Sequence, residues 1–125
     1  MLKSPVGNQI NTVFVHVSNL RESVRWYSEL LGQEYDMDEV ADPVYNLEMN
    51  HFTGLTLDAG PAGKRKQLNP LDEPLFNFHT DDIDEAFTFV NELGIEVAEG
   101  IVRFDDFSFF TVRDPDGNVV MICTG

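Results

Sequence analysis

Two stretches of this chain lie over one another at a constant spacing. The segment from His16, HVSNLRESVRWYSELLGQEY, aligns with the segment from His79, HTDDIDEAFTFVNELGIEV, with one deletion just before the glycine. His16 falls on His79, Leu20 on Ile83, Glu22 on Glu85, Glu29 on Glu92, Leu30 on Leu93 and Gly32 on Gly94. A repeat on this scale is one supersecondary unit used twice, and neither copy can bury its apolar face alone. A ligand site is therefore expected between the copies, and 125 residues leave no room for a second domain.

The residue pattern within each copy sets its local structure. In residues 11–17, Val13, Val15 and Val17 fall on one face of a strand and Thr12, Phe14 and His16 on the other. Asn19 with Glu22 three residues on is a variant capping box, after which Leu20, Val24, Tyr27 and Leu31 recur at helical spacing until Gly32. Extended runs follow at about 45–49 and 52–58, with a turn near Asn50 and His51. The second half repeats the order: a strand over 75–80, a cap at Asp82 and Glu85, and a helix burying Ile83, Ala86, Phe87, Val90 and Leu93 before Gly94. Strands are expected at about 96–102, 107–112 and 119–123, the last two flanking the turn Asp114-Pro115-Asp116-Gly117-Asn118. Each half reads β-α-β-β-β, giving an α+β chain with modules over about 9–60 and 72–125 joined by loop 60–74. That loop carries the one basic cluster, Lys64, Arg65 and Lys66, among glycines and prolines, and reads as a solvated connection.

Composition narrows the partners. With 22 acidic against 8 basic residues the formal charge is −14, which repels phosphate backbones, excludes nucleic acid and favours a cationic partner if charge selects one. The same charge keeps a protein soluble. No apolar run reaches the roughly eighteen residues of a membrane span, and the first ten residues lack an export-type apolar core, so a cytoplasmic protein without membrane contact is expected. The lone Cys123 excludes an internal disulfide and reads as a small buried apolar residue.

The segments VSNLRESVRWYSELLG, DDIDEAFTFVNELGIEV and FTVRDPDGNVVMI, in this order on a duplicated frame, resemble the vicinal oxygen chelate superfamily. That superfamily holds glyoxalase I, bleomycin-resistance proteins, fosfomycin-resistance enzymes and extradiol dioxygenases. The resemblance implies two βαβββ modules curled into an open cup around a small-molecule site, in a homodimer. It also implies one divalent metal held by His and Glu from four strands. Carried over, the first-strand ligand falls five residues before Val17, at Thr12, and the last falls four residues after Gly117, at Met121. The other two fall at Thr56 and Leu75. None of the four is a good ligand for a divalent cation, so the expectation is no metal and no cofactor, unless that alignment is out of register. His16 and His79 lie four residues beyond their respective ligand positions, about 13 Å along an extended strand, and cannot substitute.

Strand parity then proposes the lining of the cup. Phe14, Phe52, Phe107 and Phe109 supply aromatic contacts, His16, Asn77 and His79 supply polar selection, and Thr56 and Met121 share the same face. No catalytic residue is assigned. Trp26 and Tyr27 read as packing, Asp81, Asp82 and Asp84 as helix capping, Asp105 and Asp106 as loop charge, and Glu48 and His51 as surface or rim. The favoured function is metal-free binding of a small aromatic or cationic organic molecule. One alternative is a metal-dependent lyase, dioxygenase or antibiotic-modifying transferase, or a metal-free enzyme using His16 or His79 as general base. The other is a non-binding structural role with the cup filled.

Overall fold

The valine alternation in the first strand decides which way the first module folds. In this computed structural model, which describes residues 2–50 and 52–125, β1 (Thr12–His16) buries Val15, packs Val13 against the core and leaves Phe14 and His16 exposed. His51 and its expected place beside a hairpin turn lie outside the described residues. The following helix, α1 (Leu20–Leu31), begins where the Asn19 side chain accepts the Glu22 N–H at 3.1 Å. It ends at Gly32, whose φ of 66° is the left-handed geometry that glycine adopts without a Cβ penalty. In the second copy α2 (Ile83–Glu92) begins in the same way, with Asp82 accepting the Glu85 N–H at 3.1 Å.

Each helix covers one sheet. β2 (Val44–Leu47) and β3 (Gly54–Asp58) complete a three-stranded sheet in the order β1-β3-β2, with β1 parallel to β3. The second sheet, β4 (Asn77–His79), β5 (Val97–Arg103), β6 (Ser108–Arg113) and β7 (Val119–Cys123), has the order β4-β7-β6-β5, with β4 parallel to β7. The duplication extends to single hydrogen bonds. Val17 N–H donates to the Asp58 carbonyl at 3.0 Å, and its counterpart Thr80 N–H donates to the Cys123 carbonyl at 2.9 Å.

The modules are βαβββ-like rather than identical. Where the second module has β5, the first has a short 3₁₀ turn, Met37–Glu39, in which the Asp36 side chain accepts the Asp38 N–H at 3.0 Å. Aspartate side chains that bond the nearby backbone compete with a strand ladder, and Asp36 does so in the run YDMDEV by accepting the Asp38 N–H. The strand expected near 96–102 is present as β5, with register shifts around Glu99.

One core spans both modules. Val17, Val24 and Leu57 from the first and Phe110, Val112 and Val120 from the second are fully buried. Tyr27 of α1 meets Phe78 of β4 edge-on at 6.5 Å, and Phe87 of α2 meets Phe110 at 5.2 Å. The 114–118 turn clamps this junction. Asp114, 5% exposed, accepts four hydrogen bonds: Tyr27 Oη–H and Asn118 Nδ2–H at 2.8 Å each, Asn118 N–H at 2.8 Å and Asp116 N–H at 2.9 Å. Asn118 Nδ2 also donates to the His16 carbonyl at 3.2 Å, and Asp116 accepts both the Ser18 N–H at 3.0 Å and the Ser18 hydroxyl. Burial pushes the Asp114 carboxyl above its ordinary pKa although the donated bonds pull it back, and burial followed by the Asp114 charge raises the Tyr27 phenol.

Removing the Tyr27 hydroxyl leaves a buried carboxylate oxygen one donor short. Tyr27→Phe should therefore cost about 1–2 kcal/mol in a urea denaturation. The Ser28 hydroxyl is buried with no partner among the described residues. Ser28→Ala should accordingly hold or raise stability, by up to about 1 kcal/mol, and a loss in the same urea experiment would mean that hydroxyl has a partner.

Candidate functional site

Residues directly opposite across a strand pair share a face, so the register identifies the side of each sheet that the helices leave uncovered. In the first sheet Phe14 stands opposite Thr56, and Thr56 opposite Asn46. In the second, Asn77 stands opposite Met121, and Met121 opposite Thr111. Phe14 is 56% exposed and Asn46, Asn77 and His79 are exposed, so this face is open rather than packed shut by its own side chains.

The four positions that the resemblance assigns to metal ligands carry little coordinating power. Thr56 Oγ1 donates to Asn46 Oδ1 at 2.6 Å, and Met121 Sδ accepts from Asn77 Nδ2 at 3.9 Å. Leu75 sits in a bend just before β4, outside the strand expected to begin there, and is 77% exposed. Two hydroxyls, an alkyl group and a thioether bring neither imidazole nor negative charge, and this donor set does not fit a divalent cation. No group of three His, Cys, Asp or Glu side chains among the described residues is arranged to hold an ion.

A cleft of about 320 Å³ opens between the modules, where β1 approaches the entry to β4 and the start of β7. Phe14, Leu68, Leu71, Leu75 and Phe76 make it largely apolar, and His16, Lys66 and Asn118 supply polar points. Its outer wall is the connection between modules, which was expected to be solvated. Lys64 and Arg65 are exposed as expected, but Lys66 folds back onto the ends of β1 and β3. Its Nζ lies 2.9 Å from His16 Nδ1, 3.0 Å from the Asp58 carbonyl and 3.4 Å from Asp58 Oδ1. Lys66 and His16 are fifty residues apart in sequence, so only the tertiary fold reveals their contact.

Of the residues expected to line a single cup, Phe14 and His16 border this cleft. Asn77 borders a neighbouring hollow of about 300 Å³ with Val13, Met49 and Phe78. His79 borders a third hollow beside the two helices, where its Nε2 lies 2.8 Å from Asp81 Oδ1. Phe107 and Phe109 pack with Phe104 at ring-centroid separations of 5.0 and 6.2 Å, on the β5–β6 hairpin. Phe52 lies before β3 and is 92% exposed, so it does not share the strand that would aim it with Thr56. Asp82 caps α2 and Asp84 lies in its first turn while also pairing with Arg103, whereas Asp81 meets His79. Trp26 packs edge-on against Tyr27 at 4.7 Å, and Cys123 is buried in β7. Residues that the sequence reading missed are Lys66, Leu68, Leu71, Phe76 and Asn118. The signal available for two of them was an apolar Leu68 and Leu71 inside a polar connection.

Two βαβββ-like units with an open face between their sheets define a small-molecule-binding class of fold. The sequence model of the Glyoxalase/Bleomycin resistance protein/Dioxygenase superfamily matches residues 9–122, and the chain belongs to that superfamily. Among solved structures it is similar to a lactoylglutathione lyase from Agrobacterium tumefaciens, with a TM-score of 0.71 and 20% identity over 98% of this chain and 96% of that one. It is also similar to a glyoxalase/dioxygenase from Nostoc punctiforme, with a TM-score of 0.69 and 23% identity over 99% and 98%. A glyoxalase/bleomycin resistance protein from Catenulispora acidiphila gives a TM-score of 0.65 at 18% identity over 94% and 99%. These likenesses concern the fold. No curated protein matches the chain.

The latch on the cleft wall has a pH signature. The Gly60 N–H, bonded to Asp58 Oδ1 at 2.9 Å, and then the Lys66 ammonium hold the Asp58 carboxyl below the usual carboxylate range, against an opposing push from burial. A folded pKa below the unfolded one gives stability above the unfolded value that is lost as pH falls through the folded one. Asp58→Asn should therefore lower stability near neutral pH by up to about 1 kcal/mol. The difference from the parent should close in acid, as read by urea denaturation across the pH range. A difference that persists below the carboxylate range would mean the ion pair is not its source.

Proposed function

We propose that this chain binds a small organic molecule, aromatic or cationic, in the cleft between its modules, and that it does so without a divalent metal. The observation that carries the reading is the cleft itself: a concave, mainly apolar space with a few polar groups at defined places, which is the general character of a small-molecule site. The formal charge of −14 favours the approach of cations. The donor set at Thr12, Thr56, Leu75 and Met121 argues against the lyase, dioxygenase and transferase readings, each of which needs converging nitrogen or oxygen ligands. The exposure of Phe14 argues against a purely structural role with the cup filled. We further propose a homodimer, after the superfamily resemblance, and a cytoplasmic location, which fits the lone Cys123.

Elemental analysis of the purified, untagged protein, followed by thermal-shift titration with manganese, iron, nickel and zinc and then with aromatic cations, tests this reading. The expected result is a substoichiometric transition-metal content, no saturable shift with any of the four metals, and a saturable rise in Tm with an aromatic cation. A stoichiometric metal, or a shift abolished by chelator, would replace this reading with metal-dependent catalysis.

A further inference from the structure

The contact between Lys66 and His16 constrains which ligands the cleft can accept. An ammonium group only donates hydrogen bonds, and Lys66 Nζ lies 2.9 Å from His16 Nδ1. Nδ1 must then present its lone pair, which puts the ring proton on Nε2. The ammonium is itself held by a hydrogen bond to the Asp58 carbonyl at 3.0 Å and an ion pair with the Asp58 carboxylate at 3.4 Å, which keep it beside the ring. The carbonyl of His16 is fixed separately by Asn118. His16 Nε2 has no partner among the described residues, and the residue borders the cleft beside Phe14.

We propose that Lys66 is a positioning residue that locks His16 as the neutral Nε2–H tautomer, so that the cleft selects ligands carrying a hydrogen-bond acceptor, such as a carbonyl oxygen, beside an apolar body. Selection by the locked ring deepens the small-molecule reading above and rests on it. His16 in this state offers a proton donor to the ligand. Its only lone pair is spent on Lys66, so it does not serve as the general base of the alternative reading. The second copy of the repeat has no such lock. The pair His16 and Asp58 corresponds to His79 and Cys123, and Asp81 rather than a lysine meets the His79 ring.

Two measurements on the full chain separate the lock from the selection. Histidine-selective ¹⁵N labelling, with His16 assigned by its loss in His16→Gln, reads the tautomer directly. The expected wild-type spectrum shows an unprotonated Nδ1 and a protonated Nε2 in one fixed form, and Lys66→Met moves both nitrogens toward the averaged values of an unrestrained ring. A protonated Nδ1, or a His16 spectrum indifferent to Lys66→Met, overturns the lock. The second measurement compares binding of acetophenone with that of ethylbenzene, which differ by a carbonyl in place of a methylene. Wild type should favour acetophenone by roughly three- to tenfold, the worth of one hydrogen bond, Lys66→Met should reduce that preference and His16→Phe should abolish it. Equal binding of the two probes overturns the selection while leaving the cleft a binding site. If neither probe binds while an aromatic cation still raises Tm, the selection falls and the binding reading stands; if none of the three binds, both fall.

Discussion

The buried carboxylate of Asp114 is the constraint on which the rest of the molecule depends. A carboxylate taken out of water is costly unless its lone pairs are met, and here four donors meet them. Two come from the turn's own backbone, one from Asn118 and one from Tyr27 in the other module. The carboxylate thus ties the shape of the 114–118 turn to the docking of α1. The same turn reaches the end of β1 through Asn118 and the Ser18 segment through Asp116. Through Asn118, which borders the cleft, the same network reaches the His16 end of β1.

Duplication explains both the form of the open face and its chemistry. Phe14 and Thr56 in the first sheet correspond to Asn77 and Met121 in the second, so the same strand positions are presented twice toward the space between the sheets. In this chain those positions hold hydroxyl, amide, thioether and phenyl groups. Such groups suit contact with an organic molecule and do not hold a cation. The duplication is broken where the connection between the modules crosses the end of the first sheet. Lys66 latches onto His16 and Asp58 there, and the corresponding His79 and Cys123 receive no lysine. The cleft of about 320 Å³ accordingly lies beside this latch, where the connection from Lys66 to Phe76 faces Phe14 and His16.

Local chemistry made much of the fold legible. Asn19 and Asp82 cap the two helices, Gly32 ends the first, and the Val13, Val15 and Val17 alternation sets the buried face of β1. The missing strand of the first module was less legible, because the run around Asp36 has to be read as side chains competing for backbone N–H groups rather than as an extended segment. The candidate site was legible at one strand, β1, and obscure elsewhere, since Asn77 and His79 border other hollows and Phe109 packs on the β5–β6 hairpin. Phe14 and His16 follow from parity, whereas Lys66, Leu68 and Leu71 take their place through contacts that span the gap between modules. A glycine- and proline-rich segment gives no periodicity from which such contacts can be inferred.

The central claim is that the cleft between the modules, and no other part of the open face, receives the ligand. Amide chemical-shift mapping of the ¹⁵N-labelled protein during titration with acetophenone tests it most directly. The account predicts saturable shifts confined to the end of β1 around Phe14 and His16, the connection from Lys66 to Phe76, and Asn118. Saturable shifts centred instead on Phe104, Phe107 and Phe109, or on the hollow bordered by His79, would place the ligand elsewhere and contradict the account.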